Sequence, residues 1–267
     1  MAANTDYTNI ALFCDFENIA LGVRDAKYNT FDINKVLERL LLKGSIVVKK
    51  AYCDWDRYKE FKKTMHEAAF ELIEIPHVRQ SGKNSADIRM VVDALDLCYT
   101  KSHVDTFVII SGDSDFSPLV SKLRENNKTV IGIGVKDSTS NLLSANCDEF
   151  IFYDDLVREQ KTTRAPLEKK INATTALTKT TSKRQEALDF IVETLEALSE
   201  ERGEDDKMWG SMVKQTMKRR RPGFTESAYG YRSFRELVED AQKNNLLVMV
   251  RDEKTGQYTI HLPDDQS

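Results

Sequence analysis

The chain has 267 residues, which at roughly 150 residues per domain is enough for about two domains with separate cores. Its 39 Lys and Arg residues are outnumbered by 43 Asp and Glu residues, and the net charge of −4 excludes a protein that coats nucleic acid with a uniformly basic surface. The charges are unevenly spread, because residues 158–183 carry a net +5 between two acidic stretches.

No apolar run approaches the roughly 18 residues of a membrane span, so a cytoplasmic protein without a membrane partner is expected. Its four cysteines lie far apart in mostly apolar stretches, a pattern that predicts buried free thiols and favours neither a zinc site nor a disulfide framework. The phosphate-binding loop of nucleoside triphosphatases is absent from the sequence, and so is the nucleophile elbow of serine hydrolases.

From residue 9 onward, short β-branched runs alternate with segments of helical spacing. The predicted strands are residues 9–14, 45–53, 71–78, 106–110, 129–135 and 149–153. The helical stripes between them are Val36/Leu37/Leu40/Leu41, Ile88/Val91/Val92/Leu95 and Phe116/Leu119/Val120/Leu123. This alternation predicts, over residues 1–157, an α/β domain whose parallel sheet is sandwiched by helices.

The pattern stops at residues 158–183, a stretch that is rich in Thr and Lys and holds neither Gly nor an aromatic residue. Because it cannot bury much apolar surface, we predict a flexible basic linker, with nonspecific contact to nucleic-acid phosphates as the alternative. Residues 184–267 then show three amphipathic segments, the third opened by Ser233 as a candidate N-cap, and a two-strand hairpin. Three helices followed by a hairpin predict a small winged-helix domain.

Acidic residues follow two of the predicted strands. Asp15 comes directly after the first strand, and Asp113 and Asp115 come directly after the fourth. If these strands are neighbours in a doubly wound sheet, both loops open at the same carboxyl edge, where such folds bind ligands. Clustered carboxylates repel one another unless a cation lies among them, so the arrangement predicts a Mg²⁺ or Mn²⁺ site. The alternative is that each Asp only caps the next helix.

The helix before the fourth strand offers two further carboxylates. On a helical wheel, Asp87 lies at the margin of the face formed by Ile88, Val91, Val92 and Leu95, whereas Asp93 points to the solvent side. The geometry therefore favours Asp87 over Asp93 as a site residue.

Several spaced motifs together resemble the NYN domains of bacteria, relatives of the PIN-domain ribonucleases, over about residues 8–155. The motifs are Asp15-Phe16-Glu17-Asn18, Asp87 with Asp93, Ser111-Gly112-Asp113-Ser114-Asp115-Phe116 with Pro118, and Gly132-Ile133-Gly134-Val135 ahead of Ser138-Thr139-Ser140-Asn141-Leu142. The resemblance implies a Rossmann-like PIN fold and metal-dependent cleavage of RNA that leaves a 5′-phosphate end.

By that resemblance, the metal would be held by Asp15, Asp87, Asp113 and Asp115, and Asn18 would orient a bound water or a phosphate. Four residues near these motifs form a second tier of candidates: Asp93, Ser111, Ser114 and Lys83.

Residues 184–262 resemble a LOTUS domain, also called OST-HTH, most clearly at Gly230-Tyr231-Arg232-Ser233-Phe234. The resemblance implies RNA binding or docking onto a protein partner. The candidates to face phosphates are Lys218, Arg219, Arg220 and Arg221. The alternative is a plain solvated helix end, which basic side chains also favour through the helix dipole.

The leading hypothesis is a metal-dependent endoribonuclease whose winged helix selects the RNA or a protein partner. The alternative is a non-catalytic RNA- or protein-binding regulatory adaptor that keeps a vestigial acidic pocket. Sequence-specific DNA binding by the winged helix is disfavoured by the −4 charge of residues 184–267. The identity of the RNA and the oligomeric state stay open.

Overall fold

A computed structural model describes residues 8–28, 30–75, 85–163, 178–203, 206–252 and 257–263. The described chain forms two compact units, the first over residues 8–163 and the second over residues 178–263. In the described part of the chain, no helix combines the length and the apolar character needed to cross a membrane. All four cysteines are free thiols, and the predicted burial holds for Cys14, Cys53 and Cys98 but not for Cys147, which is half-buried.

The first unit is built on a parallel sheet. Its strands are β1 (Asn9–Asp15), β2 (Ser45–Cys53), β3 (Glu71–Glu74), β4 (Thr106–Ile110), β5 (Thr129–Gly134) and β6 (Glu149–Phe152). They lie in the order β3-β2-β1-β4-β5-β6. The predicted α/β class is confirmed, and β1 and β4 are the central neighbours that the carboxylate argument required. The last residues of the third predicted strand, 76–78, lie outside the described residues.

Helices cover both faces of this sheet. They are α1 (Phe16–Asp25), α2 (Ile33–Lys43), α3 (Lys59–Glu67), α4 (Ser85–Thr100), α5 (Ser117–Glu125), α6 (Asn141–Asn146) and α7 (Tyr153–Thr163). One core contains side chains of α1, α2, α3 and α7, and the other contains side chains of α4, α5 and α6. The central strands β1 and β4 are buried almost throughout, because both faces of a covered parallel sheet are apolar.

The predicted buried face of α4 is wrong at two of its four positions, because Val91 and Leu95 pack partly buried against the core and the other two residues do not. Ile88 and Val92 are 63% and 55% exposed, while the buried side chains of the helix are Met90, Ala94 and Cys98. Met90, Ala94 and Cys98 have helical spacing too, so periodicity alone did not distinguish this face from the predicted one. The prediction gave preference to the face that carries the β-branched residues. The solvent-facing prediction for Asp93 fails with it, since only 13% of that side chain is exposed.

The ends of the predicted linker are helical. Helix α7 continues to Thr163, and the second unit begins with a helix at Thr178. Residues 159–161 of α7 are Glu, Gln and Lys, which have good intrinsic helix propensity. Residues 164–177 lie outside the described residues.

The second unit has the predicted order of three helices and a hairpin. Its elements are α8 (Thr178–Arg202), α9 (Gly210–Arg220), α10 (Phe234–Lys243), β7 (Val248–Arg251) and β8 (Tyr258–His261). The strands pair antiparallel. Ser233 caps α10, because its Oγ accepts a hydrogen bond of 3.2 Å from the Glu236 N–H. The winged-helix assignment of this unit stays a prediction.

Candidate active site

The loops after β1 and β4 meet at the carboxyl edge of the sheet. Cys14 and Ile110, near the ends of these strands, are paired in the parallel register. Directly beyond them, the Ser111 hydroxyl donates a hydrogen bond of 3.1 Å to Oδ2 of Asp15. Asp15 thus lies at the topological switch point, where the strand order reverses and such folds place their ligands.

Asp15 is a carboxylate buried at the end of a strand, with 8% of its surface exposed. Its Oδ1 accepts a hydrogen bond of 3.3 Å from the Asn18 N–H, so it also serves as the N-cap of α1. Burial is the main cause that raises the pKa of Asp15 to about 7, and the nearby charges of Asp87 and Asp113 add to it. The hydrogen bonds from Asn18 and Ser111 lower this pKa without compensating for the burial.

Asn18 joins α1 to the loop after β4. Its Oδ1 accepts a hydrogen bond of 2.9 Å from the Gly112 N–H. On the other side of this loop, the Ser140 N–H donates a bond of 2.8 Å to the Gly112 carbonyl. A side chain at Gly112 would place its Cβ 2.4 Å from the Ser138 carbonyl oxygen, so the loop lies directly against its neighbour.

The loop after β4 presents two carboxylates at different depths. Oδ1 of Asp113 accepts a hydrogen bond of 3.0 Å from the Asp115 N–H and caps a short 3₁₀ turn at residues 114–116. Asp115 itself is exposed and caps no helix, since the N-cap of α5 is Phe116. Capping therefore occurs at Asp15 and Asp113, while all three carboxylates lie at one edge of the sheet.

Asp87, in the first turn of α4, belongs to the same electrostatic environment. Its pKa is raised, first by burial and then by the charges of Asp113, Asp115 and Glu17. Glu17 was not among the predicted site residues, although it lies two residues after Asp15 in the same motif. In the structure, Glu17 forms an ion pair of 3.2 Å with Arg57.

The carboxylates at this edge form the donor set for the expected metal ion. Among the described residues, no three acidic, His or Cys side chains converge closely enough to hold one ion. The excess negative charge nevertheless fits a cation, because the buried Asp15 and the half-buried Asp87 face further carboxylates at this edge. Carboxylate oxygens prefer hard ions such as Mg²⁺ and Mn²⁺.

The second-tier candidates have different environments. Ser111 contacts Asp15, and Ser114 lies half-buried in the 3₁₀ turn. Asp93 instead joins α4 to β2. The Tyr52 hydroxyl donates to it at 2.9 Å, Arg89 pairs with it at 3.0 Å, and the Lys50 ammonium lies 3.6 Å away. The partners of Asp93 therefore favour a structural role for this residue. Lys83 lies outside the described residues.

The basic cluster of the second unit is partly held by α8. Arg220 is only 12% exposed at its side chain and pairs with Glu193 at 2.6 Å. The Arg221 guanidinium lies 4.1 Å from the ring centre of Phe190 and pairs with Glu186 at 3.4 Å. These contacts favour a packing role for these two arginines.

The two other members of the cluster are less constrained. Arg219 donates a hydrogen bond of 2.9 Å to the hydroxyl of Thr216 on the same helix, and Lys218 is exposed. Lys218 is thus the member of the cluster best placed to meet a phosphate from solvent.

Comparison with known proteins gives three findings. A family model described as the NYN domain matches residues 9–154, more than half of the chain and within its first unit. An uncharacterized protein of Methanocaldococcus jannaschii is 29% identical over 161 residues, covering 60% of this chain and 60% of that relative. A crystal structure of a protein of unknown function from Vibrio parahaemolyticus is 28% identical with a TM-score of 0.50, covering 56% of this chain and 95% of that one. The chain thus spans less than two thirds of the archaeal relative's length.

Proposed function

Because this chain belongs to the NYN domain family, a group of PIN-like nucleases, we propose that its first unit is an endoribonuclease that depends on a divalent metal ion. The observation that carries the proposal is the buried carboxylate of Asp15, whose pKa is raised to about 7 beside further carboxylates. A buried carboxylate whose ionised form is destabilised in this way is typical of a site that binds a cation.

The residues proposed to hold the ion are Asp15, Asp87, Asp113 and Asp115. Their oxygens suit Mg²⁺ or Mn²⁺, and neutralising the shared charge would remove the repulsion that keeps them apart. When bound, such an ion supplies a Lewis acid for the phosphodiester and lowers the pKa of a water molecule.

The remaining steps fall to side chains of this chain. Asp115 is exposed, so its carboxylate is placed to accept the proton of an attacking water, with Asp113 as the neighbouring alternative. Asn18 and Ser111 hold the loop after β4 against Asp15 and so fix where the carboxylates stand. Attack in line on phosphorus would break the bond to the 3′ oxygen, which takes a proton from solvent and leaves as a hydroxyl, and the other product would carry a 5′-phosphate end.

For the second unit we propose a LOTUS-like winged helix that selects the RNA or docks a protein partner. The order of its helices and hairpin supports this assignment. Lys218 is the proposed phosphate contact, because Arg220 and Arg221 already bind acidic side chains of α8.

A non-catalytic regulatory adaptor is the second candidate. It is favoured by the capping bonds of Asp15 and Asp113, and by the lack of a converging ligand set among the described residues. Such a protein would bind RNA or a partner and would need no metal at the acidic edge.

The deciding experiment is a cleavage assay of the full chain on single-stranded RNA, with Mg²⁺ and Mn²⁺ varied. We expect Asp15→Asn to abolish cleavage while leaving the circular dichroism spectrum unchanged, because the variant lacks the central proposed ligand. Asp137→Asn, an exposed aspartate outside the site, is the matched control and should cleave as the wild type does. Cleavage by Asp15→Asn at the wild-type rate would contradict the proposal, and a wild-type protein that cleaves no RNA would favour the adaptor.

A further inference from the structure

Helix α4 has a second apolar face, which the first unit does not cover. Ile88, Val92 and Tyr99 are 63%, 55% and 63% exposed, and they belong to the most exposed large apolar side chains of the described chain. Leu95 lies between them and is partly buried. The spacing of four, three and four residues places all four side chains in one stripe along the helix.

Within this stripe, Leu95 packs partly buried against the core of the first unit, whereas Ile88, Val92 and Tyr99 are left exposed. The opposite face of α4 already provides Met90, Ala94 and Cys98 to the core. Singly exposed apolar side chains are ordinary, but a contiguous stripe with the spacing of a helix-packing seam is typical of an interaction surface.

The charged residues beside the stripe are arranged so that two identical copies of the helix can attract each other. At about 100° per residue, Arg89 and Asp96 lie on the same flank of the stripe. When two identical helices pair antiparallel about a two-fold axis, each flank meets the same flank of the other copy. Arg89 pairs with Asp93 of its own helix through Nε at 3.0 Å, and in this arrangement its guanidinium also meets Asp96 of the other copy. The symmetry repeats this opposite-charge contact.

We propose that two copies of this chain associate through α4, with the two helices antiparallel. In the matching register, Ile88 packs against Tyr99 of the second copy, and Val92 packs against its Leu95. Asp87 precedes the stripe by one residue and lies roughly 110° around the helix from it, so the acidic site faces away from the seam. With a rise of 1.5 Å per residue, the two Asp87 residues lie roughly 20 Å apart along the helix axis.

The mass of the full chain in solution tests this interface. Light scattering across the micromolar range should give twice the mass of one chain for the wild type. Val92→Asp places a charge at the centre of the seam and should halve that mass. Val250→Asp changes a 50% exposed valine of the second unit and should leave the mass doubled. Tyr99→Ser serves as a second seam variant should Val92→Asp lose its helical circular dichroism signal.

Exchange of the flanking charges tests the antiparallel register. Arg89→Glu and Asp96→Arg should each weaken association, and the double variant should restore it. A wild type that has the mass of one chain at every concentration overturns the proposal. A doubled mass that survives both Val92→Asp and Tyr99→Ser, or a double charge variant that does not recover, overturns it as well. None of these measurements depends on nuclease activity.

Discussion

Asp15 combines two roles that conflict in the absence of a cation. It caps α1 as an ordinary aspartate does, yet it is buried and faces other carboxylates, so its ionised form is disfavoured. An aspartate that only caps a helix is usually exposed and has a lowered pKa, because the N–H groups stabilise its charge. The charge of Asp15 is instead a cost to folding that a bound ion would relieve.

The raised pKa of Asp15 predicts how stability depends on pH in metal-free protein. The folded protein keeps the proton up to about pH 7, whereas the ordinary value is 3.8. Between these values the folded state binds more protons than the unfolded state, so stability falls as pH rises through this window. Thermal unfolding in a chelating buffer should therefore show a lower melting temperature at about pH 8 than at about pH 5.

Asp15→Asn is the matched variant for this measurement. It removes the titration and keeps a side-chain oxygen for the Asn18 N–H. It should therefore melt above the wild type at alkaline pH in chelator, by about 2–4 °C for each kcal/mol recovered. Excess Mn²⁺ should raise the melting temperature of the wild type and not that of the variant. Equal pH profiles of the two proteins would show that Asp15 carries no such cost.

The close packing around Gly112 leaves no room for a side chain beside the site. The Cβ of Gly112→Ala would lie 2.4 Å from the Ser138 carbonyl oxygen and 3.0 Å from the Thr139 Cα, and neither backbone atom can move freely. We expect a loss of about 1–3 kcal/mol in the free energy of unfolding, together with reduced cleavage as Asp113 shifts. Gly223→Ala, with no atom within 4 Å of its Cβ, is the matched control in a denaturant titration.

At the scale of elements, α4 separates what the sequence could predict from what it could not. The acidic edge was predictable, because Asp15 and Asp113 follow strands whose order places their ends together. The orientation of α4 was not predictable, because both of its faces are apolar and a helical period alone does not choose between them. The role of Asp93 depends on Tyr52, a partner 41 residues away along the chain.

The partners of Asp93 predict that it acts on stability and not on cleavage. Asp93→Ala would leave the buried Tyr52 hydroxyl without its acceptor, at a cost of about 1–3 kcal/mol, while Lys50 keeps its ion pair with Glu71 at 3.2 Å. At temperatures where the variant stays folded, its cleavage rate should equal that of the wild type. Asp137→Ala, at an exposed position, controls for the loss of an aspartate and should change neither quantity. Lost cleavage by folded Asp93→Ala would return this residue to the site.

At the scale of the whole molecule, the net charge of −4 is the sum of acidic and basic regions that we expect to have different roles. Part of the negative charge of the first unit gathers at one edge of its sheet, where a cation would neutralise it. The positive charge of residues 158–183 is the part of the chain suited to attract an anionic strand from a distance. The excluded class is therefore a protein that binds nucleic acid over its whole surface, and a localised metal-dependent contact remains compatible with the composition.

The two units have separate cores, which predicts two unfolding transitions in calorimetry of the full chain. Among the described residues, the core of the second unit is formed by side chains between positions 187 and 262, including the fully buried Leu195. Leu40 lies in a core of the first unit. Leu195→Ala should lower one transition, at a cost of about 2–5 kcal/mol, and Leu40→Ala should lower the other. Because the proposed ligands all belong to the first unit, Mn²⁺ should raise only the transition that responds to Leu40→Ala. A single transition shifted by both variants and by the ion would show instead that the units fold as one cooperative body.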